Sequence, residues 1–194
     1  LRDTALRRLT LVAFCLTSIQ AIVLSFLIII LVQEVGLEFK LAGAVFAASQ
    51  AAGAVFRITM GWVADRALGA KLTLVLIGIG SSIALVSLTL LGPQSPLMLV
   101  VGLSVITGTL GFGWNGVFLA EVVRLADPAE VGAATGGSLF FLYGGIVIGP
   151  LLMTLLISIT GGYSVPLWGV AIVTSLASFN LLRPSGQRNL DFSH

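Results

Sequence analysis

Residues 9–32 read LTLVAFCLTSIQAIVLSFLIIILV, an uninterrupted run of 24 residues that contains no charged side chain. A membrane-spanning helix takes about 20 consecutive apolar residues. Inside lipid the backbone finds no water, so such a run has to pair its own N–H and C=O groups by forming a helix. The run therefore predicts a transmembrane helix near the start of the chain.

Five further apolar runs follow, and short polar or charged segments separate them. They cover approximately residues 41–63, 72–91, 97–120, 131–159 and 166–182. No segment alternates apolar and polar residues over about ten positions, which argues against a transmembrane β-barrel. The sequence therefore predicts an all-α polytopic membrane protein, in which six transmembrane helices form a single bundle over residues 1–194.

The composition agrees with this fold class and excludes several others. Of the 194 residues, 57% are hydrophobic and only 9% are charged, and the mean hydropathy is +1.10. Soluble domains carry roughly 25% charged residues, so an ordinary cytosolic enzyme and a disordered chain are excluded. A net charge of +2 is too small for a nucleic-acid binder. Because Cys15 and His194 are the only cysteine and histidine, we expect neither a metal nor a cofactor.

The lysine and arginine residues indicate how the helices are oriented, because cytoplasmic loops carry an excess of positive charge. With the N-terminus inside, the cytoplasmic side receives eight of the ten basic residues, namely Arg2, Arg7, Arg8, Arg66, Lys71, Arg124, Arg183 and Arg188. The opposite side receives only Lys40, and Arg57 falls within the second run. We therefore expect both ends of the chain in the cytoplasm, with the bacterial inner membrane as the location.

The segment between the second and third runs, GWVADRALGAK, begins at Gly61 and ends at Lys71. Gly61 allows two helices to approach closely, Asp65 places an anion at a helix end, and the basic residues hold the loop at the anionic lipid surface. Any short cytoplasmic loop collects basic residues. That explanation accounts for Arg66 and Lys71, but not for Gly61, Asp65 and Gly69 at this spacing.

This segment resembles the loop G-x-x-x-D-R-x-G-x-K/R that follows the second helix of each half in the Major Facilitator Superfamily. The chain has one residue more than that pattern between Arg66 and Gly69. The resemblance implies one six-helix half of a secondary transporter, in which two such bundles alternate around a central site for a small solute. Because the chain opens on Leu1 and a basic lead-in, we expect it to be the C-terminal half. Its partners would then be the lipid bilayer, the substrate and a missing N-terminal half of the same polypeptide.

The resemblance also implies a gate at the cytoplasmic end. Glu121 and Arg124 stand three residues apart at the end of the fourth run, and so on one face of a helix. By resemblance, this pair interacts with Asp65 and Arg66 and latches the cytoplasmic side, together with the rest of the loop. An ordinary helix terminus with its charges in the headgroup region is the alternative.

Two glycine-rich stretches lie within the later runs. Gly145, Gly149 and Pro150 are similar to the glycine-proline motif of the family's fifth helix, where small residues allow close packing and proline kinks the helix. Residues 111–116 read GFGWNG and match a dinucleotide-binding fingerprint, but they lie inside an apolar run without a preceding strand. We interpret them as a helix-packing surface. Asp127 is predicted to cap the fifth helix.

Polar side chains deep in the membrane are the candidate substrate contacts, because they are costly there unless they have a partner or face water. By resemblance, the first, second, fourth and fifth helices line the cavity, which selects Gln20, Gln50, Asn115 and Tyr143. For Gln20 and Gln50, a hydrogen bond between helices is an equal alternative. Arg57 has three interpretations: it extends to the lipid headgroups, it pairs with the Asp65–Glu121 cluster, or it anchors an anionic substrate.

Two functions from other classes compete with transport. An intramembrane enzyme should carry a pair of acids, a histidine cluster or an activated nucleophile in the membrane, and Cys15 without an internal histidine is poor support. A non-transporting membrane scaffold should lack a concentration of polar residues on the cavity side. The sequence therefore favours a transporter that is not an enzyme.

Overall fold

The computed structural model describes residues 4–183, so Arg2, Arg188 and His194 lie outside the described residues. The described chain is helical and has no strand. Its helices are α1 (Thr4–Gln33), α2 (Phe39–Val63), α3 (Ala70–Leu88), α4 (Leu97–Phe112), α5 (Asn115–Leu125), α6 (Val131–Thr160) and α7 (Ser164–Leu182). A π-helical turn, Ala64–Leu68, continues α2 directly.

Six helical stretches are long and apolar enough to cross a membrane, which confirms the predicted fold class. The second stretch is α2 with its π-helical turn, and the fourth is α4 together with α5 (Leu97–Leu125). We call this fourth stretch the broken span, because Gly113 and Trp114 form a turn between its two helices.

Helix α1 occupies the centre of the bundle. It packs against α6, α7, α4 and α2, while α3 packs against α7 and α2 packs against α4. In its most apolar window 56% of the residues of α1 are buried, against 22% for both α2 and α6. The apolar faces of α2 and α6 are therefore directed away from the bundle.

Close contact between helices depends on small residues. A Cβ atom at Gly108 on α4 would lie 2.5 Å from the Cβ of Ser49 on α2, and one at Gly78 on α3 would overlap Ser178 on α7. Several buried hydroxyl groups bond to their own helix, and the Ser178 hydroxyl donates to the Thr174 carbonyl oxygen at 2.8 Å. The hydroxyl groups of Ser81, Ser104 and Thr174 have no hydrogen-bond partner within the described residues. The small residues thus permit close contact between helices, but not every buried hydroxyl group of the described residues is paired.

The structure differs from the sequence prediction in two places. The fourth run was expected to be continuous over residues 97–120, and the structure interrupts it at Gly113 and Trp114. Asp127 does not cap the fifth transmembrane helix, which begins at Val131 with Glu130 as its N-cap. Instead, the Asp127 carboxylate accepts a hydrogen bond from the backbone N–H of Ala129 at 2.9 Å, in the turn that precedes this helix.

Candidate functional site

The interruption of the broken span lies where the glycine-rich stretch meets α2. A Cβ atom at Gly113 would overlap the aromatic ring of Phe56, and one at Gly53 would lie 3.0 Å from the Cβ of Phe112. Glycine also has a low helix propensity, so Gly111 and Gly113 weaken the helix at the same point. The Trp114 indole N–H donates to the carbonyl oxygen of Gly111 at 3.0 Å, which stabilises the turn.

Side chains from two helices meet at the carbonyl oxygen of Phe112, the last residue of α4, and a side chain from a third helix joins them through Asn115. The Arg57 Nε of α2 donates to this oxygen at 3.2 Å, and the Asn115 Nδ2 of α5 lies 3.5 Å from it. The same Asn115 Nδ2 donates to the Gln20 Oε1 of α1 at 3.3 Å. We call Gln20, Arg57, Asn115 and the Phe112 carbonyl the polar cluster.

The polar cluster lies at the middle of the membrane-spanning stretches. Phe112 stands about halfway along the broken span, and Gln20 about halfway along α1. An unpaired backbone carbonyl is costly in hydrocarbon, so side chains that donate to it stabilise the break. Gln20 and Asn115 are half-buried, and a Cβ atom at the neighbouring Gly116 would meet open space. The cluster is therefore accessible from one side.

The other two candidate cavity residues do not join this cluster. The side-chain nitrogen of Gln50 is shielded from solvent and has no hydrogen-bond partner within the described residues. Tyr143 lies on the outer face of α6 with 58% of its surface exposed. The structure thus brings together Gln20, Asn115 and Arg57, and it leaves Gln50 and Tyr143 apart.

At the end of the broken span, Glu121 and Arg124 form a two-pronged ion pair. The Arg124 Nε and Nη2 donate to the two carboxylate oxygens of Glu121, each at 2.6 Å. Glu121 is only 1% exposed, whereas the Arg124 side chain is 67% exposed. This is the single ion pair among residues 4–183, so Asp65 and Arg57 have no oppositely charged partner within 4.0 Å in this part of the chain.

The loop after α2 has an unusual backbone. The N–H of Gly69 donates to the carbonyl of Ala64 at 3.1 Å, five residues back, which closes a π-helical turn. Gly69 then adopts a φ of +75° and is the N-cap residue of α3, which begins at Ala70. The Arg66 guanidinium lies 5.6 Å from the centre of the Trp62 ring, within the range of a cation–π contact. Asp65 is exposed, and Lys71 is half-buried in the first turn of α3.

Two glycines of α6 lie directly against the backbone of α1. A Cβ atom at Gly145 would lie 2.7 Å from the Phe14 carbonyl oxygen, and one at Gly149 would lie 3.0 Å from the Cα of Ser18. Pro150 follows inside the helix, and its carbonyl accepts a hydrogen bond from the Thr154 hydroxyl at 2.9 Å. These glycines set the closest approach between the central helix and α6.

Comparison with known protein families gives a match over nearly the whole chain. The sequence profile of the Major Facilitator Superfamily matches residues 9–191. The chain belongs to the Major Facilitator Superfamily. It is therefore an integral membrane protein of a transporter family, whose members are generally not enzymes. Neither the curated proteins nor the solved structures that were compared gave a match.

Within this superfamily, the extra residue of the loop after the second helix has a structural counterpart. A π-helical turn holds one residue more than an α-helical turn between its bonded groups. Gly69 therefore keeps a backbone bond to the end of α2 although Ala67 and Leu68 both stand between Arg66 and Gly69. The prediction that Gly61 allows two helices to approach closely is wrong for the described residues, because Gly61 lies inside α2 where a Cβ atom would meet nothing within 4 Å.

Sequence reasoning missed two members of the site. The carbonyl of Phe112 is a backbone atom, so no side-chain pattern marks it, and Trp114 was interpreted only as a packing residue. The available signal was the glycine-rich stretch of residues 111–116, because three glycines within six residues weaken a helix.

Proposed function

We propose that this chain is one half of a secondary active transporter, and that a small solute binds at the polar cluster during alternating access. One observation carries the proposal: Arg57 and Asn115 meet at the Phe112 carbonyl, at a break in a membrane span, and Gln20 of a third helix is hydrogen-bonded to Asn115. Interrupted helices place backbone and polar groups at the midplane sites of transporters. A scaffold has no need for such a site within the bilayer.

A second six-helix bundle would complete the transporter. The outer faces of α2 and α6 are the least buried in the bundle, and both carry large apolar side chains, including Ile58 and Val147. We propose that the N-terminal half of the same polypeptide covers these two helices and encloses the polar cluster. Tyr143, which lies on the exposed face of α6, would then lie between the two halves and face the solute path.

The distribution of charge supports an orientation with both ends of the chain in the cytoplasm. The Arg8 Nη1 near the start of α1 donates to the carbonyl oxygen of Arg183, which follows α7, at 2.9 Å. The start of α1 and the end of α7 therefore lie on the same side of the bundle. Most basic side chains of the described residues lie at that side, and only Lys40 lies at the other. We propose a bacterial inner membrane as the location, with the Asp65 loop and the Glu121–Arg124 pair forming a cytoplasmic gate.

Uptake by proteoliposomes tests the proposal. The complete polypeptide, which includes the proposed N-terminal half, is reconstituted, and uptake of a broad panel of labelled solutes is compared with that of empty vesicles. Once a transported solute is found, Gln20→Ala and Asn115→Ala should each lower kcat/KM at least tenfold, because they remove amide groups from the polar cluster. Gln94→Ala is the matched control, since this glutamine lies exposed in a loop. Uptake equal to that of empty vesicles across the panel would exclude transport.

A further inference from the structure

We infer that the solute is an oxyanion, carrying a carboxylate or phosphate group, and that Arg57 binds this group directly. The inference rests on the proposed function, because it names the class of solute that the polar cluster would take. Three observations on the Arg57 guanidinium support it. The group lies at the middle of the membrane spans, its Nε is held by a hydrogen bond to the Phe112 carbonyl (here called the tether), and it has no carboxylate partner among the described residues.

The tether keeps the Arg57 guanidinium at the middle of the membrane. Its Nε donates to the Phe112 carbonyl at 3.2 Å, and Phe112 lies about halfway along the broken span. An arginine that extends to the headgroups would direct its charge toward the end of its helix instead. The structure therefore does not agree with the interpretation that Arg57 reaches the lipid surface.

The tether also leaves the binding edge of the guanidinium free. The terminal nitrogens Nη1 and Nη2 make no hydrogen bond to any residue that the structure describes, and the side chain lies on an exposed part of α2. A planar guanidinium presents these N–H groups in a fork that matches a carboxylate or a phosphate. Fixing Nε beforehand reduces the conformational entropy lost on binding.

No carboxylate of the described chain neutralises Arg57. Glu121 is a buried acid within the membrane spans, but both of its carboxylate oxygens already accept hydrogen bonds from Arg124. A cation in hydrocarbon is costly unless it faces water or a partner, so an incoming anion would replace lost hydration with charge-assisted hydrogen bonds. With a neutral or cationic solute, no group among residues 4–183 would compensate this charge.

The neighbouring amides fit the same class of solute. Asn115 and Gln20 share a hydrogen bond between Nδ2 and Oε1, and Asn115 lies next to the acceptor that tethers Arg57. Their remaining amide N–H groups can donate to a second oxygen of the solute or to a hydroxyl group beside it. The polar cluster thus offers one positive charge, several donors and no negative charge.

Direct binding and uptake are measured with matched pairs of solutes. The anions are lactate, succinate and glycerol 3-phosphate, and their neutral partners are lactamide, succinamide and glycerol. We expect at least one anion to raise the Tm of the purified protein and to be taken up by proteoliposomes, whereas its neutral partner does neither. The carboxylates and the phosphate in the panel distinguish the two kinds of oxyanion.

Variants of Arg57 give the decisive comparison. Arg57→Gln should weaken anion binding at least tenfold, while Arg57→Lys should retain part of the affinity because it keeps the charge. Lys40→Gln removes a positive charge from the exposed start of the same helix and should leave binding unchanged. If Arg57→Gln does not fold, Asn115→Asp provides a second test, since it adds a carboxylate at the cluster and should also weaken anion binding.

The outcomes separate the inference from the proposed function. Uptake of neutral or cationic solutes without uptake of anions would overturn the inference and leave transport intact. Anion binding that Arg57→Gln leaves unchanged in a folded protein would also overturn it. Binding of an anion at Arg57 without any uptake would support the inference and contradict transport.

Discussion

The Nε of Arg57 on α2 donates a hydrogen bond to the backbone carbonyl of Phe112, 3.2 Å away, where α4 ends. A side chain of one membrane span therefore occupies the backbone acceptor that a break in another span has freed. Because α2 also packs against α4, the break and the position of Arg57 depend on each other. A movement of α2 relative to the broken span would uncover the carbonyl and displace the guanidinium together.

The packing of Gly113 against Phe56 should be essential to the break. In Gly113→Ala, the added Cβ would overlap the Phe56 ring, so the free energy of unfolding should fall by about 1–3 kcal/mol. Thermal unfolding in detergent, followed by tryptophan fluorescence, measures this change. Phe56→Leu should recover part of the loss in the double variant.

Gly102→Ala is the control for this prediction. Gly102 lies on α4 as well, but a Cβ atom there meets nothing within 4 Å. Its replacement should leave stability unchanged or raise it by up to about 1 kcal/mol, because alanine is the better helix former. Equal losses in the two variants would show that backbone flexibility, and not contact with Phe56, explains the effect.

The six membrane spans could be predicted from the sequence, because long apolar runs in lipid have few structural alternatives. The membership of the polar cluster could be predicted only in part. Gln20, Gln50, Asn115 and Tyr143 were equally plausible as polar residues within apolar runs. Helix rotation decides which of them meet, and helices that are apolar on every side carry no pattern that fixes their rotation.

For the fourth span, the three glycines of residues 111–116 indicate a weak helix, but the local sequence does not show that the span breaks there. The break depends on contacts between helices, where Gly113 meets Phe56 and Arg57 supplies a donor to the freed carbonyl. The π-helical turn after α2 likewise reflects one additional residue between Arg66 and Gly69. The sequence reveals that residue but not the backbone conformation that accommodates it.

The contact between α6 and α1 should be sensitive to a single methyl group. A Cβ atom at Gly145 would lie 2.7 Å from the Phe14 carbonyl oxygen, a backbone atom that cannot rotate away. Gly145→Ala should therefore lower the free energy of unfolding by about 1–3 kcal/mol, measured by titration with a denaturing detergent. Gly136→Ala on the same helix, where nothing lies within 4 Å, should be neutral. A neutral result for both variants would contradict this close packing.

In the Glu121–Arg124 pair the carboxylate is buried and the guanidinium is exposed, so loss of the arginine alone should destabilise the protein more than loss of both charges. Arg124→Gln leaves the buried Glu121 carboxylate without its partner, so stability should fall by about 1–3 kcal/mol. In the double variant Glu121→Gln/Arg124→Gln, much of this loss should be recovered, because a neutral amide replaces the unpaired charge. A double-mutant cycle on unfolding free energies measures the coupling. Purely additive losses would mean that the pair contributes no coupling energy.

Tyr163, in the connection between α6 and α7, should ionise at a higher pH than a free tyrosine. Burial and then the negative charge of Glu34 raise the pKa of its phenol, whose hydroxyl donates to Gln33 at 2.7 Å. Because the folded-state pKa of Tyr163 lies above the unfolded value, the resulting stabilisation of the fold is fully present below the unfolded pKa and is lost as the pH rises through the folded pKa.

Absorbance near 295 nm in a Tyr143→Phe background isolates the titration of Tyr163, since the chain has 2 tyrosines. Glu34→Gln should lower the midpoint while Glu38→Gln, which removes a charge not implicated in the shift, should change it less. Identical midpoints in the parent and in Glu34→Gln would contradict the contribution of Glu34.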